Sequence, residues 1–428
     1  MVELILIIIY SVLCLINDKR WIVGSLIILF PSHLFIKHML ELYLGHPTTI
    51  FPLWYDIAIL ILLLKSIIQQ HYKIKYGTLL FLLILMLFFQ FGVSYFANKP
   101  EPDAIATLRI YLHCIILFIT FSIINFNASD YHKINKIFIY STIFYCITGI
   151  VIYSLFQQEF HLLLGHIEFT PNGMTYSSPS FLIMGYERMF GLVGGPNQFG
   201  VYLAFTILYL YYIRNYQNQQ TYPFINLAII LSIICIILSF SRAGWAIVLM
   251  TLGCLNLING NIYRTIGFIY KVIFLLCILL ILIFMLMPEA YDIILSSLNG
   301  DESSAAARGD IVKSGFAEIA GNIFGHGLGT GIEENGSPIS ESSIVICLYE
   351  LGIFVTIYYY ALILIISHKI FKRKTIYSKI LISFVLATII VSIVSMNPFQ
   401  YPYIYYFWSI LGIASNNRNI QISKIKKI

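Results

Sequence analysis

The chain has 428 residues, of which 59% are hydrophobic and only 11% charged. Its repeated apolar runs of about 17–25 residues have the length that spans a bilayer. This balance excludes a soluble globular protein, and a net charge of +6 scattered through short segments fits positive-inside bias rather than nucleic-acid binding.

The predicted architecture is an all-α polytopic membrane protein, a single transmembrane domain over 1–428 with about 12–14 transmembrane helices. The first apolar run, Val2 to Ile16, lacks a basic stretch before it and is followed by Asp18-Lys19-Arg20, so it reads as a first helix rather than a signal peptide. Further crossings are predicted near 21–40, 50–64, 77–96, 106–127, 134–156, 197–213, 223–240, 243–259, 269–287, 343–367, 380–396 and 400–415. Placing the C-terminus inside puts 19 of 26 cations on the cytoplasmic side, including a basic cytoplasmic tail over 416–428. Lysine follows this rule better than arginine: three of seventeen lysines but four of nine arginines fall outside, namely Arg109, Arg188, Arg242 and Arg308. Arginine is the residue suited to forked binding of phosphate and carboxylate, so these exceptions read as recruited.

Two outer loops are long. The first, 157–196, is polar and aromatic; the second, 288–342, carries Arg308 and the glycine-rich Gly325 to Gly331. Both are expected to lie over the bundle as lids. The glycine run follows no strand and is weak evidence for a nucleotide site. The seven cysteines all fall in apolar runs without a CxxC pair and read as small core residues.

Three helix starts carry polar motifs. Gly194-Gly195-Pro196-Asn197 breaks the chain and opens a helix, with Arg188 shortly before it. Ser239-Phe240-Ser241-Arg242 is a short polar hop between two apolar runs, where an arginine also fits snorkelling to headgroups. Ser340-Glu341-Ser342-Ser343 opens the crossing after the second loop, with serines able to cap it; Glu350, nine residues on, falls on the opposite face and is expected to be paired within the bundle. In the predicted topology all three starts face the outer side, where free N–H groups and the positive dipole end favour anions. Such a set suits a diphosphate leaving group without a metal or other cofactor: arginines and helix ends neutralise the leaving oxygens, and a carboxylate accepts a hydroxyl proton.

The ordered set resembles the O-antigen polymerase and O-antigen ligase superfamily. It comprises Arg188 before Gly195-Pro196-Asn197 and Gly200; Ser239, Ser241 and Arg242; Arg308 with Gly325, Gly327 and Gly329; and a polar helix start leading to Glu350 and Gly352. The resemblance covers about 185–355. It implies a C-type membrane glycosyltransferase of the bacterial inner membrane with its active site facing the periplasm. The implied partners are undecaprenyl-diphosphate-linked oligosaccharide donor and acceptor, membrane lipids and a polysaccharide chain-length regulator. In that frame Arg188, Arg242, Arg308, Arg109, Asn197 and Ser241 are the diphosphate-binding candidates. Glu341, Arg242, Arg188 and Arg308 are the catalytic ones. Family ligases are expected to carry a histidine near the start of the helix after the large loop; here Ser-Glu-Ser-Ser stands there, and the nearest histidine is His326. That departure favours a repeat-unit polymerase over a ligase that attaches polymer to lipid A-core or protein. A flippase or secondary transporter is the alternative of another class; it predicts mid-membrane charges and inverted repeats, and no such symmetry is evident in the sequence.

Overall fold

The computed structural model describes residues 2–48, 50–68, 76–96, 101–170, 173–176, 181–183, 186–216, 222–260, 322–331, 342–395 and 403–416, and a few isolated ones between 263 and 274. It is an α-helical polytopic membrane protein, as expected. The described helices are α1 (Val2–Ile16), α2 (Lys19–Leu29), α3 (His33–Leu44), α4 (Leu53–Ile68), α5 (Gly77–Phe96), α6 (Glu101–Ile123) and α7 (Ala128–Leu155). They continue as α8 (Gln157–Leu163), α9 (Pro196–Tyr216), α10 (Ile225–Leu238), α11 (Arg242–Ile258), α12 (Ser343–Phe371), α13 (Ile376–Ser392) and α14 (Tyr403–Ser415). Four of them, α5, α6 from Asp103, α7 and α12, are long and apolar enough to cross a bilayer, and α2 with α3 makes a fifth span if taken together. Others are apolar but short: α10 has 14 residues and α11 has 17. At ~1.5 Å per residue these reach about 21–26 Å, less than a hydrocarbon core of ~30 Å. The predicted crossing at 269–287 and the tail at 417–428 lie almost wholly outside the described residues.

Two local features go beyond the predicted elements. The run at 21–40 is broken: α2 and α3 meet at an angle of 73° around Pro31, which ends the α2 hydrogen-bond ladder. The first long loop is structured. It holds α8 and two antiparallel hairpins, β1 (Ile167–Thr170) with β2 (Gly173–Tyr176) and β3 (Leu182–Ile183) with β4 (Tyr186–Glu187). Phe160, Phe181 and Phe190 form its core, with Phe35 of α3 packed against them.

The chain divides into two compact units interleaved in sequence. The first comprises 1–77, 112–245 and 400–428. Within it α7 packs on α2 and α10, α9 on α10 and α14, and α4 on α1 and α2. Asn127 and Asp130 cap α7 reciprocally, and Asp18 caps α2. Tyr145 of α7 donates to Ser32 Oγ at 3.0 Å and to the Ile28 carbonyl, tying α7 to the break between α2 and α3.

The second unit comprises 78–111 and 246–399. The glycine-rich loop is its organising feature. α12 is interrupted at Gly352, whose φ of 72° is left-handed, and the loop packs against that break. His326 N–H donates to Tyr349 O and Gly327 N–H to Glu350 O, while Gln90 of α5 donates to the carbonyls of Phe324 and Leu351. The Glu350 carboxylate, 3% exposed, accepts the Gly331 N–H at 3.1 Å. Its partner is therefore loop backbone. These amides are spent on the protein's own helices, which accounts for the glycines without a nucleotide. Ser342 caps α12 through the Val345 N–H, the capping role foreseen for that serine cluster. The free cysteines Cys14, Cys114, Cys146, Cys235 and Cys347 are buried and Cys254 is partly so; Cys277 lies outside the described residues.

Gly327 has a φ of 97°, and a Cβ there would lie 2.5 Å from the Ser94 backbone nitrogen. Gly327→Ala therefore combines left-handed strain with overpacking, each about 1–3 kcal/mol, and is expected to lower the thermal unfolding midpoint in detergent well below that of Gly92→Ala, whose Cβ meets nothing.

Candidate functional site

Arg188 follows β4 and is 7% exposed. Its N–H donates to Phe181 O and the Met189 N–H to Leu238 O, so the segment is stitched across the end of α10. The guanidinium then reaches three acceptors: Nε donates to Ser239 O at 3.0 Å, and Nη2 to Asn197 Oδ1 at 2.7 Å and Phe240 O at 3.3 Å. Two of these carbonyls belong to the turn ending α10, where orphan acceptors and the negative dipole end favour a cation. The third acceptor sits in the first turn of α9. Phe240 has a φ of 49°, unusual for a large residue. A left-handed non-glycine costs about 1–2 kcal/mol, and the Arg188 contact helps hold it there.

The helix starts have the local chemistry their sequences suggest. Gly194, at φ 89°, turns the chain, and Pro196 occupies the first turn of α9, where its missing N–H costs nothing. Ser241 is fully buried, and its Oγ accepts the Gly244 N–H at 3.3 Å to open α11. Arg242 is the first residue of α11 and is exposed. α9 and α11 cross with almost no side chain between them: a Cβ on Gly244 would lie 2.5 Å from Gly200 O, and one on Gly200 would collide with Ser241. Arg188, Asn197, Ser241 and Arg242 are thus brought together in one unit, with two helix N-termini a short step apart.

Arg188 and Arg242, both assigned by the sequence to the same role, differ in their surroundings. Arg188 has its guanidinium among protein carbonyls and sets the geometry, whereas Arg242 stands exposed at a helix start. Arg109 lies on α6 in the second unit. Arg308 and Glu341 lie outside the described residues. Among the described residues no group of three His, Cys, Asp or Glu side chains is arranged to hold a metal ion.

One polar constellation was not foreseen. Asp56 of α4 and His113 of α6 meet at 2.8 Å inside the first unit, with side chains 13% and 8% exposed. Tyr405 Oη of α14 is 3.4 Å from the other imidazole nitrogen, Nδ1. Each residue alone reads as an isolated polar group in an apolar run, and 57 positions separate the pair, so no local pattern announces it.

Beside Arg188, α8 and the hairpins enclose two histidines. His166 stacks on Phe181 with ring centroids 4.2 Å apart, and His161, fully buried, lies edge-on to the same ring. His38 of α3 donates from Nε2 to Leu163 O at 3.1 Å. Burial, complete for His161 and partial for His166, lowers both from the usual 6.5 to about 4, and for His166 the neighbouring His161 and His38 push the same way.

Comparison with known families matches residues 227–346 to the family described as O-Antigen ligase. The matched stretch takes in α10, the Ser239–Arg242 turn, α11 and the first turn of α12. The match covers 120 of the 428 residues and agrees with the superfamily that the ordered motifs resemble. No curated protein matches the chain.

Two outcomes are expected. His161 and His166 are neutral when packed and bind protons more readily when released. Their contribution to loop stability is therefore complete above about pH 6.5 and is lost as pH falls toward 4. Protection against hydrogen exchange across 157–166, measured relative to the intrinsic rate at each pH, should fall between pH 7 and pH 5 in wild type, and far less in His161→Phe/His166→Phe. Replacing His113 by Leu alone strands a buried carboxylate and should cost about 3–5 kcal/mol in thermal unfolding, while Asp56→Leu/His113→Leu should recover much of that loss.

Proposed function

We propose that this chain, a multi-pass membrane protein of the O-antigen polymerase and ligase superfamily, is a polymerase of lipid-linked oligosaccharide repeat units. It transfers the growing glycan from undecaprenyl diphosphate to the non-reducing end of another undecaprenyl-diphosphate-linked unit, at the periplasmic face of the bacterial inner membrane. The observation that carries this reading is buried Arg188 tying the start of α9 to the turn between α10 and α11, with exposed Arg242 heading α11. Fixed N–H groups and an arginine at one spot form a preorganised anion site of the kind a diphosphate leaving group needs.

In the proposed reaction the bond from the anomeric carbon to the diphosphate oxygen breaks as one to the acceptor hydroxyl oxygen forms. Arg242, Asn197 and the start of α11 at Ser241 meet the charge growing on the diphosphate. Arg308 and Arg109 complete the cationic set, and Glu341 takes the hydroxyl proton. Arg188 acts chiefly by holding the two starts in register, because carbonyls already occupy much of its fork. The chemistry is assigned to these side chains without a metal cofactor, and activity with defined lipid-linked repeat units is expected to survive a chelator.

The polymerase reading is preferred to the ligase one because the start of α12 offers serines committed to capping and to α13-side carbonyls: Ser342 Oγ reaches Ser392 O at 3.3 Å and Ser343 Oγ reaches Ser395 O at 3.0 Å. No histidine stands there. Arg242→Ala expressed in a deletion strain should cost roughly 10²–10³ in transfer, the usual loss of one such donor, and Arg242→Lys should restore little because a point charge replaces a fork. On a polysaccharide gel both should leave core carrying one repeat unit. Bare core with lipid-linked polymer would mean a ligase, and a normal ladder from both would remove Arg242 from the mechanism.

A further inference from the structure

We propose that Glu350 is a positioning residue for the transfer: by gripping the glycine strap Gly325 to Gly331 it sets the first turns of α6 and, with them, Arg109. The inference rests on the proposed function for the part Arg109 plays and on the second unit alone for the grip.

A strap of glycines has few side chains of its own to meet its amides, so partners must be brought to them. Glu350 brings a group that only accepts. Its carboxylate takes the Gly331 N–H at 3.1 Å, and the Gly329 N–H turns to it as well. A carboxylate meets two converging donors, whereas the NH2 of a carboxamide would oppose one of them. Among the described residues, the titratable side chains that bear on it are the phenol of Tyr111 on α6 and the thiol of Cys347, one turn back on α12. A carboxylate in an apolar helix is costly, and a neutral acceptor would satisfy an amide at less cost. Its presence there marks a functional role.

On its other side the strap bears on α5 and α6. Ser94 Oγ of α5 donates to Leu328 O at 2.6 Å, and a Cβ on Gly329 would lie 2.7 Å from the Ala104 nitrogen in the first turn of α6. Peptide meets peptide there, so a shift of the strap passes to α6 with no rotamer to absorb it. Farther along α6, Tyr111 makes a second hold on α12: its hydroxyl lies 3.5 Å from Cys347 Sγ and its ring is edge-on to Tyr359. Arg109 lies between the two holds, about 7.5 Å beyond Ala104 along the helix. Glu350 bears on both, so its carboxylate fixes the interval of α6 that carries Arg109.

The test uses the full chain in nanodiscs with a defined lipid-linked repeat unit. Glu350→Gln should keep the wild-type melting curve, while hydrogen exchange across 322–331, relative to the intrinsic rate, rises roughly tenfold. Per folded protein, kcat should fall roughly tenfold with KM changed less than about threefold, because Arg109 meets charge that grows in the transition state. Arg109→Ala should lower kcat at least as much, and Arg109→Ala/Glu350→Gln should be no slower than Arg109→Ala alone. Losses that multiply in the double variant, a wild-type kcat in Glu350→Gln, or unchanged exchange across the strap would each overturn the proposal. Should Glu350→Gln fail to fold, Glu350→Asp, one methylene too short for the grip, is read in the same way. If wild type transfers no glycan, the proposed reaction is wrong, and the exchange arm still decides whether Glu350 grips the strap.

Discussion

A buried arginine at the junction of two helices is the constraint on which the first unit is arranged. Its charge is tolerable because the acceptors around it are those a helix end leaves over: Ser239 O and Phe240 O at the close of α10, and Asn197 Oδ1 at the opening of α9. Removing it would leave those acceptors without their donor and would release the left-handed turn at Phe240. The glycines follow from the same requirement. Gly200 and Gly244 let α9 and α11 approach backbone to backbone, so that the start of α11 lies beside the α9 start that Arg188 holds.

The second unit solves a comparable problem with the charge inverted. Glu350 lies in an apolar helix, and loop backbone rather than a cation satisfies its carboxylate. The loop can approach that closely only because Gly325, Gly327 and Gly329 take left-handed φ values and carry no side chain. Gly352 breaks α12 at the same level and frees backbone groups that the loop then engages. A motif that resembles a phosphate cradle in sequence is thus a helix-packing device in the fold.

Much of the fold class and part of the site were legible in the sequence, because their signals are local. Apolar runs, the Gly-Gly-Pro-Asn helix start, the serine caps at Ser241 and Ser342 and the anomalous arginines all announce themselves within a few residues. What escaped depends on distant chain segments meeting. Nothing near Arg188 says that its fork will close on carbonyls fifty residues later, and the sequence therefore assigned it to ligand as readily as Arg242. Asp56 and His113 are invisible for the same reason. The bend at Pro31 and the pairing of β1 with β2 did carry breaker and turn signals in the sequence, Pro31 itself and the run Pro171-Asn172-Gly173. Arg308 and Glu341 are known by sequence alone, since the described residues do not include them.

The contact of α9 with α11 at Gly200 and Gly244 has a consequence for selectivity. Where side chains separate two helices, their spacing relaxes as rotamers change; where peptide touches peptide, it is as stiff as the covalent chain. The interval between the two positive helix ends then works as a fixed gauge. Under the proposed function, that interval selects for a diphosphate whose span matches it.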